Sequence, residues 1–96
     1  KGKETKAETL ARIATKAARI DFNRIGTASS KDKDDLKKIK GIGPFLEEKL
    51  NSLGIFTFAQ MAKFNKKDED LVNDALEFFP GRIRRDEWAK QAKKLK

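Results

Sequence analysis

Residues 38–50 read KIKGIGPFLEEKL and place two glycines in the middle of an apolar, lysine-rich stretch. Apolar helical faces lie on both sides of these glycines, so only a few residues are available to reverse the chain. Gly41 and Gly43 supply the backbone freedom that such a tight reversal needs. Pro44 suits the first turn of the following helix, where a missing N–H costs no hydrogen bond. The stretch therefore predicts a helical hairpin at residues 40–43.

The stretch LKKIKGIGPFLEEKLNSLGI at residues 36–55 resembles the helix-hairpin-helix motif of DNA repair and replication proteins. In that family, the hairpin amides bind a DNA backbone phosphate without reading the base sequence. The wider segment 35–95 resembles a helix-hairpin-helix tail appended to some bacterial ribosomal proteins and respiratory-complex subunits. The resemblance implies an accessory domain that binds nucleic acid without sequence specificity.

A second, degenerate hairpin is predicted at residues 80–83. The positions of Leu36, Ile39, Lys40, Gly41 and Gly43 are echoed downstream by Leu76, Phe79, Pro80, Gly81 and Ile83. The two copies would form a compact five-helix, all-α bundle of the doubled helix-hairpin-helix (SAM-like) type. A chance similarity between two helical turns is the alternative interpretation.

The helices of this bundle follow from apolar spacing and cap signals, and no strand is predicted. Thr57 and Asn65 are candidate N-caps, and Gly54 is a candidate helix stop. The expected helices are 33–39, 44–53, 57–64, 67–79 and 84–94.

The N-terminal segment has a different composition from the rest of the chain. Residues 5–25 predict one amphipathic helix with a thin, alanine-rich apolar face, and GTASSKDKD at 26–34 is typical of a linker. We therefore divide the chain into a basic amphipathic helix and linker at 1–31 and a helix-hairpin-helix domain at 32–96. Because the apolar face is thin, we expect residues 1–31 to add little stability. That face consists of Leu10, Ile13, Ala17 and Ile20.

The net charge of +8 is concentrated at the N-terminus. Residues 1–31 carry eight Lys/Arg against three Asp/Glu (+5), whereas residues 32–96 carry fifteen against twelve (+3). A basic surface favours an anionic partner, either nucleic acid or an acidic protein surface. A charge excess that serves only solubility is the alternative.

The lysines and arginines beside the two hairpins are the candidate binding groups. Lys38 and Lys40 can approach the same phosphate as the hairpin amides, and such contacts position a protein on a duplex without reading bases. The predicted nucleic-acid-binding residues are Lys38, Lys40, Gly41, Ile42, Gly43, Arg82, Arg84 and Arg85.

Two features of the first hairpin oppose DNA binding. Phe45 stands where many DNA-binding members of the family have a polar or basic residue. Glu47 and Glu48 place negative charge in the first turn of the helix that would receive the phosphate, where they suit the helix dipole but repel an anion. Glu48 could instead pair with a neighbouring lysine. The alternative function is a protein-interaction or tethering module that retains the fold without DNA affinity.

Enzymatic activity finds no support in the sequence. The chain has no histidine, cysteine or tyrosine, and no phosphate-binding lysine motif. We predict no catalytic residue, no cofactor, no small-molecule substrate and no metal site. The acidic run 68–70 fits a helix start better than a cation site, and most aromatic residues recur at the spacing of a helical core.

No apolar run approaches the roughly 20 residues of a membrane span. The absence of cysteine suits the reducing cytoplasm, where we expect the protein to act. Because the chain begins at Lys1 rather than methionine, we expect a longer parent protein. The sequence leaves open whether that parent protein carries a membrane anchor elsewhere.

Overall fold

The computed structural model describes residues 5–77 and 81–96, and all regular structure within these ranges is helical. The expected all-α fold is confirmed, and the aromatic stretch 54–58 forms no strand. No helix in the described ranges has both the length and the apolar character needed to cross a membrane. The α-helices are α1 (Lys6–Ala14), α2 (Phe22–Ile25), α3 (Pro44–Leu53), α4 (Phe58–Ala62), α5 (Lys66–Ala75), α6 (Arg82–Arg85) and α7 (Trp88–Leu95). Three 3-10 turns accompany them at Thr15–Arg19, Ser30–Asp32 and Leu36–Lys38.

The predicted cap residues set the bounds of the central helices. The Thr57 hydroxyl accepts a hydrogen bond from the Gln60 N–H (3.1 Å) at the start of α4. The Asn65 side chain accepts one from the Asp68 N–H (2.9 Å) at the start of α5. Gly54 ends α3 in the left-handed conformation, with φ of 100°. These three local predictions are confirmed. The fourth helix, expected over 67–79, instead ends at Ala75, because Glu77 adopts φ of 58° and leaves the helical path; residues 78–79 lie outside the described part of the chain.

Two further predicted helices differ from the structure. The expected helix 33–39 is a single 3-10 turn, which Asp35 caps by accepting a hydrogen bond from the Lys37 N–H (3.2 Å). The expected helix 84–94 is divided into α6 and α7. Glu87 adopts φ of 54° and breaks the helical path between them.

The N-terminal segment is not the single helix expected over 5–25. The chain passes from α1 through a 3-10 turn, and Ile20 is then extended, with φ of −88° and ψ of 135°. Asp21 restarts the helical path as the N-cap of α2, where its carboxylate accepts a hydrogen bond from the Arg24 N–H (3.3 Å). These breaks allow the segment to follow the surface of the other helices rather than project from them.

Apolar side chains from this segment enter the same core as those of the later helices. Ile13, Ile20 and Ile25 are only 0%, 7% and 1% exposed, and they belong to one buried cluster with Leu50 and Leu53 of α3. The expectation that residues 1–31 add little stability does not fit this burial, because a buried isoleucine contributes substantially to the hydrophobic free energy. The division of the chain near residue 31 stays a prediction.

The linker-like stretch is also attached to the bundle. The Asp34 N–H donates to the Phe56 carbonyl oxygen (2.8 Å), and the Asp34 carboxylate accepts from the Phe58 N–H (2.9 Å). The Gln60 side-chain amide donates to the Gly26 carbonyl oxygen (2.9 Å). Backbone bonding at both ends thus fixes the path of this polar stretch.

The core interpretation is confirmed for three of the described aromatic residues, whereas Phe56 is only partly buried and Phe45 is exposed. Phe58, Phe64 and Trp88 are buried, and Trp88 is fully enclosed. Phe45 is 39% exposed and packs outside the core. Phe78 and Phe79 lie outside the described residues.

Candidate functional site

The first hairpin reverses the chain at residues 40–43, as predicted. Gly41 has φ of 102°, a backbone conformation that favours glycine. Ile42 is 5% exposed, and its N–H donates to the Ile39 carbonyl oxygen (3.1 Å). Gly43 is extended and forms the N-cap of α3, with Pro44 in the first turn.

The two hairpin glycines have different surroundings. A Cβ atom on Gly41 would lie 2.6 Å from Oδ2 of Asp86 and 3.1 Å from Nε1 of Trp88. A Cβ atom on Gly43 would meet no atom within 4 Å. Gly41 therefore packs closely against Asp86 and Trp88 at the junction of α6 and α7, whereas Gly43 faces open space.

Gln91 of α7 joins the hairpin to the C-terminal helix. Its Oε1 accepts a hydrogen bond from the Lys40 N–H (2.8 Å), and its Nε2 donates to the Lys40 carbonyl oxygen (3.3 Å). The same Nε2 donates to the Asp86 carbonyl oxygen (2.8 Å). The backbone of Lys40, at the start of the reversal, is therefore held to α7. Sequence reasoning missed Gln91, because no local pattern indicates a bond that spans 51 residues.

The two glutamates of α3 are used within the fold. Glu47 accepts a hydrogen bond from the Leu36 N–H (3.0 Å) and pairs with the Lys37 ammonium (3.5 Å). Glu48 pairs with Lys6 (2.8 Å), so the expected pairing with a lysine is confirmed. Their negative charges are thus partly neutralised within the molecule, although both remain near the hairpin.

Phe45 presents an aromatic surface beside α1. The ammonium groups of Lys6 and Lys49 lie 5.5 and 5.0 Å from the centroid of its ring. Cations at these distances are attracted to the negative face of the ring. Phe45 and Leu95 are the large apolar side chains that remain exposed in the described part of the chain, each at 39%.

At the second hairpin, the described residues show a turn at Gly81 and one backbone amide bonded within the fold. Gly81 adopts φ of 76°, comparable to Gly41 in the first copy. Ile83 is fully buried, and its N–H donates to the Asn73 side-chain oxygen (3.2 Å). Phe79 and Pro80, which complete the predicted echo, lie outside the described residues.

The three arginines of the second hairpin have carboxylate partners. Arg82 and Arg85 approach the two oxygens of Asp86 at 3.3 and 3.4 Å. Arg84 pairs with Glu69 (3.3 Å) and Asp70 (2.7 Å) of α5. Each of the three guanidinium groups predicted to hold phosphates therefore has a carboxylate beside it, although the Arg85 side chain stays 66% exposed.

The arginines of the N-terminal segment are likewise paired, in each case with an acidic residue on or just after α5. Arg24 pairs with Asp68, and Arg19 with Asp74 (2.8 Å). Arg12 and Lys16 both bind Glu77, at 2.5 and 2.8 Å. Hydrogen bonds from Arg12 and then Lys16 lower the pKa of Glu77 from 4.5 to about 2.

Lys38 and Lys40 differ from the arginines. Both side chains are exposed, and neither has a carboxylate within 4 Å among the described residues. The lysines of α7 and its C-terminus share this character: Lys90, Lys93, Lys94 and Lys96. Unpaired positive charge in the described residues is therefore carried by lysines, including those at the hairpin and on α7.

A family model described as the RS2/RL21/YNQ2 HHH domain matches residues 36–96. The chain belongs to this helix-hairpin-helix family. The match covers both hairpins and confirms the resemblance to the tail found on bacterial ribosomal proteins. No solved structure matches the chain.

Three relatives show where the domain occurs. Large ribosomal subunit protein bL21 of Roseobacter denitrificans is 41% identical over 80 residues, covering 83% of this chain and 37% of the relative. Small ribosomal subunit protein uS2 of Azorhizobium caulinodans is 44% identical over 62 residues, covering 65% of this chain and 18% of the relative. An uncharacterized 22.9 kDa protein of Paracoccus denitrificans is 42% identical over 62 residues, covering 65% and 29%. The chain thus spans well under half the length of these relatives.

The prediction of sequence-independent DNA binding is wrong. Relatives that share the domain are named as proteins of the large and small ribosomal subunits, which favours the protein-interaction alternative. Within the predicted site, the Ile42 N–H already donates to the Ile39 carbonyl oxygen, and carboxylates lie beside the arginines of the second hairpin. A role in partner binding for the eight predicted site residues stays a prediction.

Proposed function

We propose that this domain is a non-enzymatic protein-interaction or tethering module attached to larger bacterial proteins. The observation that carries the proposal is the occurrence of one domain, at 41–44% identity, in proteins named for different subunits of the ribosome. A domain that covers only 18–37% of such relatives is an accessory part of each. Different host proteins with one shared module are expected when that module supplies attachment rather than the activity of the host.

The surface chemistry supports attachment to protein. Phe45 and Leu95 are large apolar side chains left 39% exposed. Exposed aromatic and aliphatic anchors with lysines around them suit a small protein interface, in which a few buried side chains supply most of the binding free energy. The ribosomal names of the relatives support a cytoplasmic location as part of the same proposal.

Site-directed photo-cross-linking in the full-length parent protein tests this function. A photoreactive phenylalanine analogue would replace Phe45, or Leu95 in a second variant. Ala59, an exposed residue of α4, provides the control position. We expect nuclease-resistant adducts to one identifiable protein from at least one of the first two positions and none from Ala59.

The identified protein must then bind the purified chain, and alanine at the cross-linking position must weaken that binding. Adducts that nuclease removes would contradict the proposal, because they would show that the domain contacts nucleic acid. Adducts formed equally from all three positions would also contradict it, because they would show only random collision.

A further inference from the structure

The C-terminal helix carries positive charge without any compensating carboxylate. Residues 88–96 contain four lysines and no aspartate or glutamate. These lysines are exposed and have no ion-pair partner within the described part of the chain. In contrast, every arginine of the chain has a carboxylate partner. The positive charge that no carboxylate compensates therefore belongs to lysines and not to arginines.

The Gln91 bonds place this helix directly beside the first hairpin. Because both polar atoms of the Gln91 amide bind the backbone of Lys40, the two segments are in contact at that point. Lys94 and Leu95 follow Gln91 by three and four residues, so they share its side of the helix. This contact places the hairpin segment of Lys40 beside the helix that carries Lys94.

That surface also offers an apolar anchor. Leu95 is 39% exposed and lies on the same side of α7 as Gln91. A phosphate backbone offers no apolar group that would cover a leucine, whereas an acidic protein segment with apolar side chains does. We name this surface the lysine–leucine face and define it by Lys38, Lys40, Lys94 and Leu95.

We propose that the lysine–leucine face docks an acidic, amphipathic segment of a partner protein. The inference rests on the proposed function and adds the surface and the chemistry of the partner. Carboxylates of the partner would contact the lysines, and an apolar side chain would cover Leu95. Contacts between exposed charges are individually weak, so the complex is expected to form quickly and to weaken with salt.

Fluorescence anisotropy with the complete 96-residue chain tests the proposal. The probes are a short Leu/Glu amphipathic helical peptide, an oligoglutamate peptide of equal charge, and duplex DNA and RNA of comparable charge. We expect the amphipathic peptide to bind most tightly at about 50 mM salt and to weaken as salt is raised. Amide chemical shifts should change at residues 38–40 and 91–95 and not along α5.

Two variants separate the named face from general positive charge. K40Q/K94Q should weaken the amphipathic peptide about fivefold to tenfold. The matched control K63Q/K67Q removes the same charge from exposed lysines elsewhere and should change the affinity less than about twofold. L95A should weaken the amphipathic peptide while leaving the oligoglutamate peptide unchanged, and circular dichroism verifies that each variant is folded.

The outcomes distinguish this inference from the proposed function. Equal losses in K40Q/K94Q and K63Q/K67Q, or shift changes on another face, would overturn the inference and leave the proposed function standing if cross-linking succeeds. No binding of either peptide at low salt would also overturn the inference and leave the proposed function standing if cross-linking succeeds. Tighter binding of duplex DNA or RNA than of both peptides would overturn the inference and the protein-interaction function together.

Discussion

Replacing Ile13 with alanine measures how much the N-terminal segment contributes to the stability of the fold. Ile13 lies near the end of α1, is 0% exposed and belongs to the core cluster. Removing its branched side chain loses transfer free energy and leaves a cavity among neighbours that relax only partly. An isoleucine-to-alanine change at such a site costs about 2–4 kcal/mol. We expect Ile13→Ala to lower the free energy of unfolding by this amount.

Urea unfolding followed by circular dichroism gives the measurement, and Leu10→Ala is the matched control. Leu10 lies in the same helix but is only partly buried, so its loss should cost less than about 1 kcal/mol. A loss below about 0.5 kcal/mol for Ile13→Ala would refute the reasoning, because it would show that α1 does not pack on the core. Equal losses for the two variants would refute it as well, because burial would then not decide the cost.

The same calculation predicts the effect of removing residues 1–31. Burial of a single isoleucine contributes about 1.5–3 kcal/mol, so the loss of Ile13, Ile20 and Ile25 together removes about 5–9 kcal/mol. The whole stability of a small domain is about 5–15 kcal/mol. We therefore expect the truncated chain to lose its cooperative unfolding transition. A sharp transition at nearly unchanged urea concentration would contradict this expectation.

Two further predictions concern the hairpin and the ion pairs of the N-terminal segment. Gly41→Ala should lower the free energy of unfolding in urea by about 2 kcal/mol or more, because the new side chain would meet both a positive φ and closely placed neighbouring side chains. Gly43→Ala should lower it by less than about 1 kcal/mol. Equal losses for the two variants would contradict the assigned packing. The lowered pKa of Glu77 stabilises the fold above pH 4.5, and this contribution is lost as the pH falls toward about 2. Glu77→Gln removes the charge that binds Arg12 and Lys16. The melting temperatures of the variant and the wild type should therefore converge as the pH is lowered from about 5 to 2. A difference that stays constant over this range would contradict the pairing.

The elements that the sequence predicted well depend on local chemistry. The reversal at Gly41 and the caps at Thr57 and Asn65 are set by residues within one or two turns of the element they define. Such signals are strong because each satisfies backbone groups or a backbone conformation that few other residues satisfy. The start of α3 at Pro44 belongs to the same class.

The elements that it predicted poorly depend on contacts between distant segments. The break at Ile20 has no local breaker residue, and it becomes favourable because the extended backbone directs Ile20 and Ile25 into the core. The bond from Lys40 to Gln91 spans 51 residues and has no motif. The thin apolar face of the N-terminal segment indicated a helix that is only marginally stable alone. In the fold, the free-energy cost of ordering this segment is offset because its apolar side chains join a core that the later helices also build.

The distribution of charge shows why the basic N-terminus is a poor guide to the partner. Its arginines bind acidic residues on or after α5, so the net charge of +5 over residues 1–31 is largely matched within the fold. Planar guanidinium groups suit fixed carboxylate pairs, whereas lysine ammonium groups stay hydrated on flexible stems. The cations that remain available are therefore lysines, and those at the hairpin and on α7 are among them. Net charge alone points to the N-terminal segment, whereas the pairing of each cation shows that much of that charge is already matched within the fold.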